Sequence, residues 1–113
     1  MNSRESFKEM VKMLKSEREQ LNKLAGLLDG KYTVGGDLVW CEAAKENMYE
    51  AYRRVTDAIE ILTCEYVKMV DPEFYDKLHF EPDLEVYFED GIGTEDIVIY
   101  GDTPEGNRIS TRV

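Results

Sequence analysis

The chain has 113 residues, a net charge of −10 and a pI of about 4.5. This length predicts a single domain, residues 1–113, and 42% hydrophobic residues suffice for a packed core. The negative charge disfavours direct contact with nucleic acid or an anionic membrane, and it favours a basic partner.

The lack of a recognisable targeting signal and the positions of the two cysteines indicate a reducing compartment. No apolar run is long enough to span a membrane, and residues 1–10 are too polar for a signal peptide. We therefore expect a cytoplasmic location, in the host cell if a phage encodes the protein. Cys41 and Cys64 fall on one predicted helix, about 35 Å apart, too far for a disulfide, so both should be free thiols.

The first predicted helix starts at a capping box formed by Asn2 and Glu5 and ends at Asp29-Gly30. Its apolar residues recur in steps of three and four, which is typical of a helix with one buried face. One polar residue, Glu17, interrupts this seam and can mark register or simply reach solvent. The seam comprises Phe7, Met10, Leu14, Glu17, Leu21, Leu24 and Leu28.

The second predicted helix runs from a cap at Asp37 to Val70, after a short loop over residues 31–36. Its seam has the same spacing, so residues 1–70 are predicted to form a long antiparallel hairpin with the two seams facing each other. The same seams could alternatively pair two copies in a coiled coil. The seam of this helix comprises Met48, Tyr52, Val55, Ile59, Leu62, Tyr66 and Met69.

A short third helix is predicted within residues 71–80. Pro72 should end the long helix and open the next one, with Asp71 as its N-cap. The helix should extend to about His79, whose charge would suit the C-terminal end of the helix dipole.

After Pro82 the apolar period changes from 3.6 to 2, which predicts strands over residues 83–113. The first strand alternates through Leu84, Val86 and Phe88, the second covers residues 97–100, and the third covers residues 108–113. Turns are predicted at residues 90–93 and 103–106. The fold class is therefore α+β: a helical hairpin, a short helix and a three-stranded antiparallel meander.

The acidic residues concentrate near the C-terminus. Residues 71–113 contain twelve acids and three bases, whereas residues 1–70 are nearly neutral. This concentration indicates either a binding face for a basic partner or a solvated surface that keeps the protein soluble. The candidate partner-binding residues are Glu81, Asp83, Glu85, Tyr87, Glu89, Asp90, Glu95 and Asp96.

Motifs for catalysis, metals or cofactors are absent from the sequence. The soft ligands Cys41, Cys64 and His79 lack zinc spacing, and His79 has no partner nucleophile in a recognisable motif. Residues 89–96 place four acids around a glycine turn without the ligand spacing of an EF-hand, which leaves at most a weak cation site. We expect no metal, no cofactor and no enzymatic activity.

These observations favour a small acidic protein that blocks a basic, nucleic-acid-binding surface of a partner protein. Nucleic-acid mimics and anti-defence inhibitors of the anti-CRISPR type, encoded by phages, belong to this class. The alternative is an assembly module that forms a homodimer or a coiled-coil contact through the core seam, in particular Leu14, Leu21, Met48, Tyr52, Val55, Ile59 and Leu62.

Overall fold

The computed structural model describes residues 2–27, 39–90 and 95–113, and for residues 39–42 it describes the backbone alone. The α+β prediction is confirmed: two long helices and a short one precede a three-stranded antiparallel sheet. The predicted helix end at Asp29-Gly30, the loop at 31–36, the cap at Asp37 and the turn at 91–93 lie outside the described residues. The elements are α1 (Ser3–Leu27), α2 (Val39–Val70), α3 (Pro72–Asp76), β1 (Glu85–Asp90), β2 (Glu95–Asp102) and β3 (Arg108–Arg112).

The chain divides into two compact units. The sheet unit consists of Met1–Lys8 and Glu60–Val113, and the helical unit consists of Glu9–Ile59. Both long helices contribute to both units, because α1 passes from the sheet unit into the helical unit and α2 passes back.

Helices α1 and α2 run antiparallel and contact each other in each unit. The Asn2 side chain caps α1 by accepting a hydrogen bond from the Glu5 amide at 2.9 Å, as the capping box predicts. In the sheet unit the Phe7 ring stacks on Tyr66, with ring centroids 4.1 Å apart. In the helical unit the Arg18 guanidinium lies 5.9 Å from the centre of the Tyr52 ring.

The buried face of α1 differs from the predicted seam. Met10 and Leu24 were predicted to be buried but are exposed, whereas Val11 and Ala25 are buried in their place. Glu17 is also exposed, which agrees with the interpretation that its side chain simply reaches solvent. The error arose because positions 7, 11, 14, 18, 21 and 25 repeat the same steps of three and four. Spacing alone therefore did not distinguish two neighbouring faces of the helix.

The buried residues of α2 agree with the predicted seam more closely than those of α1 do. Met69 was predicted in the seam but is exposed, and Thr63 and Val67 are buried near it instead. Leu28 of the predicted seam lies outside the described residues. The other predicted seam residues within the described ranges, including Leu14 and Leu21 of α1, are fully or partly buried within single copies of the chain. On α2 these are Met48, Tyr52, Val55, Ile59, Leu62 and Tyr66.

Asp71 joins the end of α2 to the sheet. One oxygen of its carboxylate accepts a hydrogen bond from the Phe74 amide at 3.1 Å, which caps α3, and Pro72 occupies the first turn as predicted. The other carboxylate oxygen accepts a hydrogen bond from the Thr111 hydroxyl on β3 at 2.6 Å. A single side chain therefore fixes both the start of a helix and the position of an edge strand.

Helix α3 ends at Asp76, one turn earlier than predicted. His79 therefore lies beyond the helix, and the proposed interaction of a charged His79 with the helix dipole is wrong. Its amide donates a hydrogen bond to the Asp102 carbonyl at 2.7 Å, and its Nδ1 accepts one from the Glu81 amide at 3.2 Å.

The sheet has the order β1-β2-β3, with both pairs antiparallel. Strand β2 is longer than predicted because the polar residues at both ends are also paired, from Asp90↔Glu95 to Asp102↔Arg108. The predicted turn at residues 103–106 is confirmed: the Gly106 amide donates to the Thr103 carbonyl at 2.9 Å, and Gly106 has a φ of 83°.

One face of the sheet, the inner face, carries the apolar core of the sheet unit. Val86 of β1 and Ile97 and Ile99 of β2 are buried there. Gly101 continues this face at a point of close approach, because a Cβ at this position would collide with the side chains of Leu78 and Leu84. The segment between α3 and β1 therefore closes directly over the sheet, with its backbone fixed at His79.

Asp71→Asn should reduce the loss of stability at acid pH. The pKa of Asp71 lies below its ordinary value of 3.8 because the Thr111 hydroxyl and the Phe74 amide donate to the carboxylate. A carboxyl group with a lowered folded-state pKa stabilises the protein above its unfolded pKa, and this stabilisation is lost as pH falls through the folded pKa. Urea unfolding from about pH 6 to about pH 2 should show a shallower decline for D71N than for the parent.

The matched control for this prediction is Asp76→Asn, which removes the same charge from an exposed position on the same helix. An equally shallow decline in D76N would contradict the special role of Asp71.

Candidate functional site

The outer sheet face is the face opposite the buried core, and it carries half of the predicted partner-binding residues: Glu85, Tyr87, Glu89 and Asp96. The strand register places Glu89 directly opposite Asp96, and Glu85 directly opposite Tyr100. It also places Asp102 directly opposite Arg108. The outer sheet face consists of Glu85, Tyr87, Glu89, Asp96, Val98, Tyr100, Asp102, Arg108, Ser110 and Arg112.

Arg112 forms ion pairs with two of the predicted binding carboxylates. Its guanidinium donates hydrogen bonds to Glu89 and to Asp96, each at 3.0 Å. These two contacts raise the pKa of Arg112 further above its ordinary value. Because Glu89 and Asp96 are direct cross-strand neighbours, Arg112 also screens a repulsion between like charges.

Arg108 likewise forms ion pairs with two carboxylates, at the other end of the outer sheet face. Its guanidinium lies 2.7 Å from Glu85 and 3.4 Å from Asp102, and 5.3 Å from the centre of the Tyr100 ring. The Tyr87 hydroxyl donates a short hydrogen bond to Glu85, which raises the pKa of Tyr87. The outer sheet face is thus a connected network of ion pairs and aromatic contacts, with four acids and two arginines.

Glu95 lies on the other face of the sheet, where it pairs with α1. Its carboxylate is 3.4 Å from the Lys8 ammonium group. Arg4 of the same helix donates hydrogen bonds to the backbone carbonyls of Glu95 and Val113. Glu95 therefore helps to attach the first turns of α1 to the sheet, and it is not a member of the outer sheet face.

The seven acids among the predicted binding residues consequently fall into two groups. Glu85, Glu89, Glu95 and Asp96 have a basic partner within the chain. Glu81, Asp83 and Asp90 are exposed and form no ion pair among the described residues. The structure does not bring all of these residues together into one uniformly acidic face.

Glu81 and Asp83 line a surface groove of about 460 Å³ on the sheet unit, which we call the Cys64 groove. Its lining contains three carboxylates and no basic residue among the described residues. The apolar part of its wall comes from α2 and from the segment before β1. The lining residues are Glu60, Ile61, Cys64, Glu81, Pro82, Asp83 and Leu84.

The two units differ sharply in charge. The sheet unit contains fifteen acids and six bases, a net charge of −9, whereas the helical unit contains nine acids and eight bases, a net charge of −1. The acidity of the chain is thus concentrated in one compact unit, and four of the six bases in that unit are already paired with carboxylates.

The described residues offer little for metal or thiol chemistry. No three or more histidine, cysteine, aspartate or glutamate side chains converge as metal ligands do within the described ranges. Glu89, Glu95 and Asp96, three of the acids around the predicted cation turn, are instead paired with Lys8 or Arg112. Burial and the neighbouring Glu65 raise the pKa of the free thiol of Cys64, so at neutral pH it is protonated and weakly nucleophilic.

Arg108 and Arg112 were not predicted as part of the site. Their alternation with Ile109 did place both arginines on the exposed face of the third strand. Combining this alternation with the meander order would have put them on the same face as Glu85 and Glu89. In contrast, the spacing of apolar residues does not indicate that Phe80 or Ile61 is exposed, because the exposure of both side chains depends on where the neighbouring helices and strands end.

Comparison with known proteins gives no match to any protein-family model, curated protein or solved structure. Within the described residues, the helices are too short or too polar to cross a membrane.

Arg112→Gln should lower stability at low salt and make stability rise more steeply with salt than in the parent. Removing the guanidinium leaves Glu89 and Asp96 facing each other without their shared counter-charge, and salt screens this repulsion. The measurement is the urea midpoint at about 20 mM and about 1 M sodium chloride.

Arg53→Gln, which removes one positive charge from an exposed position of the helical unit, is the control. If the urea midpoint of R53Q rises with salt as steeply as that of R112Q, the effect comes from the net charge of the protein and not from the repulsion between Glu89 and Asp96.

Proposed function

We propose that this protein is a non-enzymatic acidic binding protein that occupies a basic surface of a partner protein, in the manner of an inhibitor. The observation that carries the proposal is the concentration of a net charge of −9 in the sheet unit. A nucleic-acid-binding surface is the kind of basic surface that such a unit fits best, because it has already evolved to accept closely spaced negative charges. A protein encoded by a phage against a host defence enzyme would be one instance.

The carboxylates without an internal counter-charge are the ones we assign to this contact. Glu81, Asp83 and Asp90 are exposed and form no ion pair among the described residues. The acids of the outer sheet face would first have to leave Arg108 and Arg112, which would offset part of the gain from binding. The outer sheet face therefore contributes mainly a rigid scaffold for the remaining carboxylates.

Glu81→Lys/Asp83→Lys/Asp90→Lys should abolish capture of basic proteins by the immobilised protein. A nuclease-treated cell extract serves as the source of partners, and the captured proteins are eluted with a salt gradient. For a partner captured by the parent, the triple reversal should slow association most strongly at low salt, because charge steers the encounter. Duplex DNA should compete with the parent for the same partner if the occupied surface binds nucleic acid.

A matched control reverses three exposed acids of the helical unit, as Glu9→Lys/Glu46→Lys/Asp57→Lys. This variant changes the net charge of the chain by the same amount and should retain capture. Binding of the partner by the triple reversal at 81, 83 and 90 with the parent's rate and salt dependence would refute the proposal.

Self-association through α1 is a second candidate function, favoured by an exposed apolar stripe. Its members recur in steps of three and four, as coiled-coil contacts do, with two exposed polar residues at the centre. In a parallel pair Glu17 would face its own copy, whereas in an antiparallel pair it faces Gln20 and can accept a hydrogen bond. The stripe consists of Met10, Met13, Glu17, Gln20, Leu24 and Leu27.

Met13→Glu/Leu24→Glu should convert any dimer of the protein to a monomer without unfolding it. Met13 is 69% exposed and Leu24 is 47% exposed, so a charge at either position meets solvent in the single copy. Ile59 and Leu21 are unsuitable for this test because Ile59 is buried and Leu21 is half-buried within the fold. Light scattering over a concentration series gives the mass, and a parent that stays monomeric throughout removes this candidate.

A further inference from the structure

The segment that leads into the Cys64 groove holds an aromatic side chain in solvent. Phe80 is 91% exposed, more than any other large apolar residue among the described ones. Its position is fixed from both sides: the His79 amide donates to Asp102, and the Glu81 amide donates to the His79 ring. A phenyl ring this exposed offers an apolar contact to a partner protein.

A second apolar side chain is exposed at the groove itself. Ile61 of α2 is 66% exposed and lines the groove together with Pro82 and Leu84. The groove therefore combines an apolar wall with the three carboxylates of Glu60, Glu81 and Asp83. Such a lining complements a segment that carries both positive charge and apolar side chains, and its carboxylates repel an anionic ligand.

We infer that the Cys64 groove, together with Phe80, receives a basic amphipathic segment of the partner protein. A lysine or arginine of that segment lies against Glu81 and Asp83, and its apolar side chains pack on Ile61 and Phe80. This inference rests on the proposed function and narrows it, because it requires apolar contacts in addition to charge. It also separates the contact from the outer sheet face, whose carboxylates keep their arginines.

Cys64 provides a direct reporter of occupancy, because it lines the groove and its thiol is free. In a Cys41→Ser background it is the single thiol of the chain. The rate of its alkylation therefore measures access to the groove, and a peptide bound elsewhere on the acidic unit leaves that rate unchanged.

The test titrates the C41S protein with a short peptide built from lysine and leucine and with a lysine-only peptide of the same length. Affinity is followed by fluorescence anisotropy of the labelled peptide, and groove occupancy by the alkylation rate of Cys64. The lysine–leucine peptide should bind about tenfold more tightly than the lysine-only peptide. It should also protect Cys64, and protection should weaken as salt rises from about 50 mM to about 500 mM.

Two variants separate the apolar contribution from the charged one. Ile61→Ser/Phe80→Ser should weaken binding of the lysine–leucine peptide about tenfold and leave the lysine-only peptide unaffected. Glu81→Gln/Asp83→Asn should weaken binding of both peptides and reduce its dependence on salt. The matched control, Glu73→Gln/Glu105→Gln, removes the same charge from exposed positions outside the groove and should retain Cys64 protection.

Failure of the inference can be distinguished from failure of the proposed function. Equal affinity for the two peptides, or binding without protection of Cys64, would overturn the groove as the docking site while leaving an acidic binding protein intact. Unaltered peptide binding by I61S/F80S would overturn it as well. Because these side chains are exposed, circular dichroism should show an unchanged fold for every variant.

Discussion

The carboxylate of Asp71 connects the end of α2 and the start of α3 to strand β3. It caps α3 through the Phe74 amide and accepts the Thr111 hydroxyl of β3, so the end of α2 and the edge of the sheet share one anchoring group. It caps the start of α3, and the hydrogen bond from the His79 amide to the Asp102 carbonyl then ties the segment that carries Phe80 to the sheet. A polar residue at this position thus has an architectural role before any functional one.

The distribution of ion pairs constrains how the acidic unit can act. Arg108 and Arg112 each bridge two carboxylates across strands, and Lys8 pairs with Glu95. Individually such pairs contribute little to stability, but here Arg112 screens the repulsion between Glu89 and Asp96, which face each other across the sheet. Their consequence for binding is that a strand rich in acids is not in itself a free acidic surface. Among the described residues, the predicted binding carboxylates without such a partner are Glu81 and Asp83, in the segment before β1, and Asp90, at the end of β1.

The two candidate activities use different units and different forces. The groove on the sheet unit offers charge with a small apolar anchor, which suits a salt-sensitive contact with a basic partner. The α1 stripe belongs to the nearly neutral helical unit, where two copies can approach with little electrostatic repulsion. One protein can therefore contain both surfaces, and neither depends on the other.

Local patterns in the sequence determined most of the fold: the α+β class, the Asn2 and Asp71 caps, the strand alternation and the turn at residues 103–106. These features follow from contacts between residues close in sequence, which leave a readable period or a capping residue. Tertiary structure alone decided which of two equally spaced stripes of α1 is buried. It also decided that Glu95 meets Lys8 of α1, and that Phe80 remains in solvent. Each of these outcomes depends on residues far apart in the chain, and the spacing of side chains along one element carries no information about what the other elements bring opposite it.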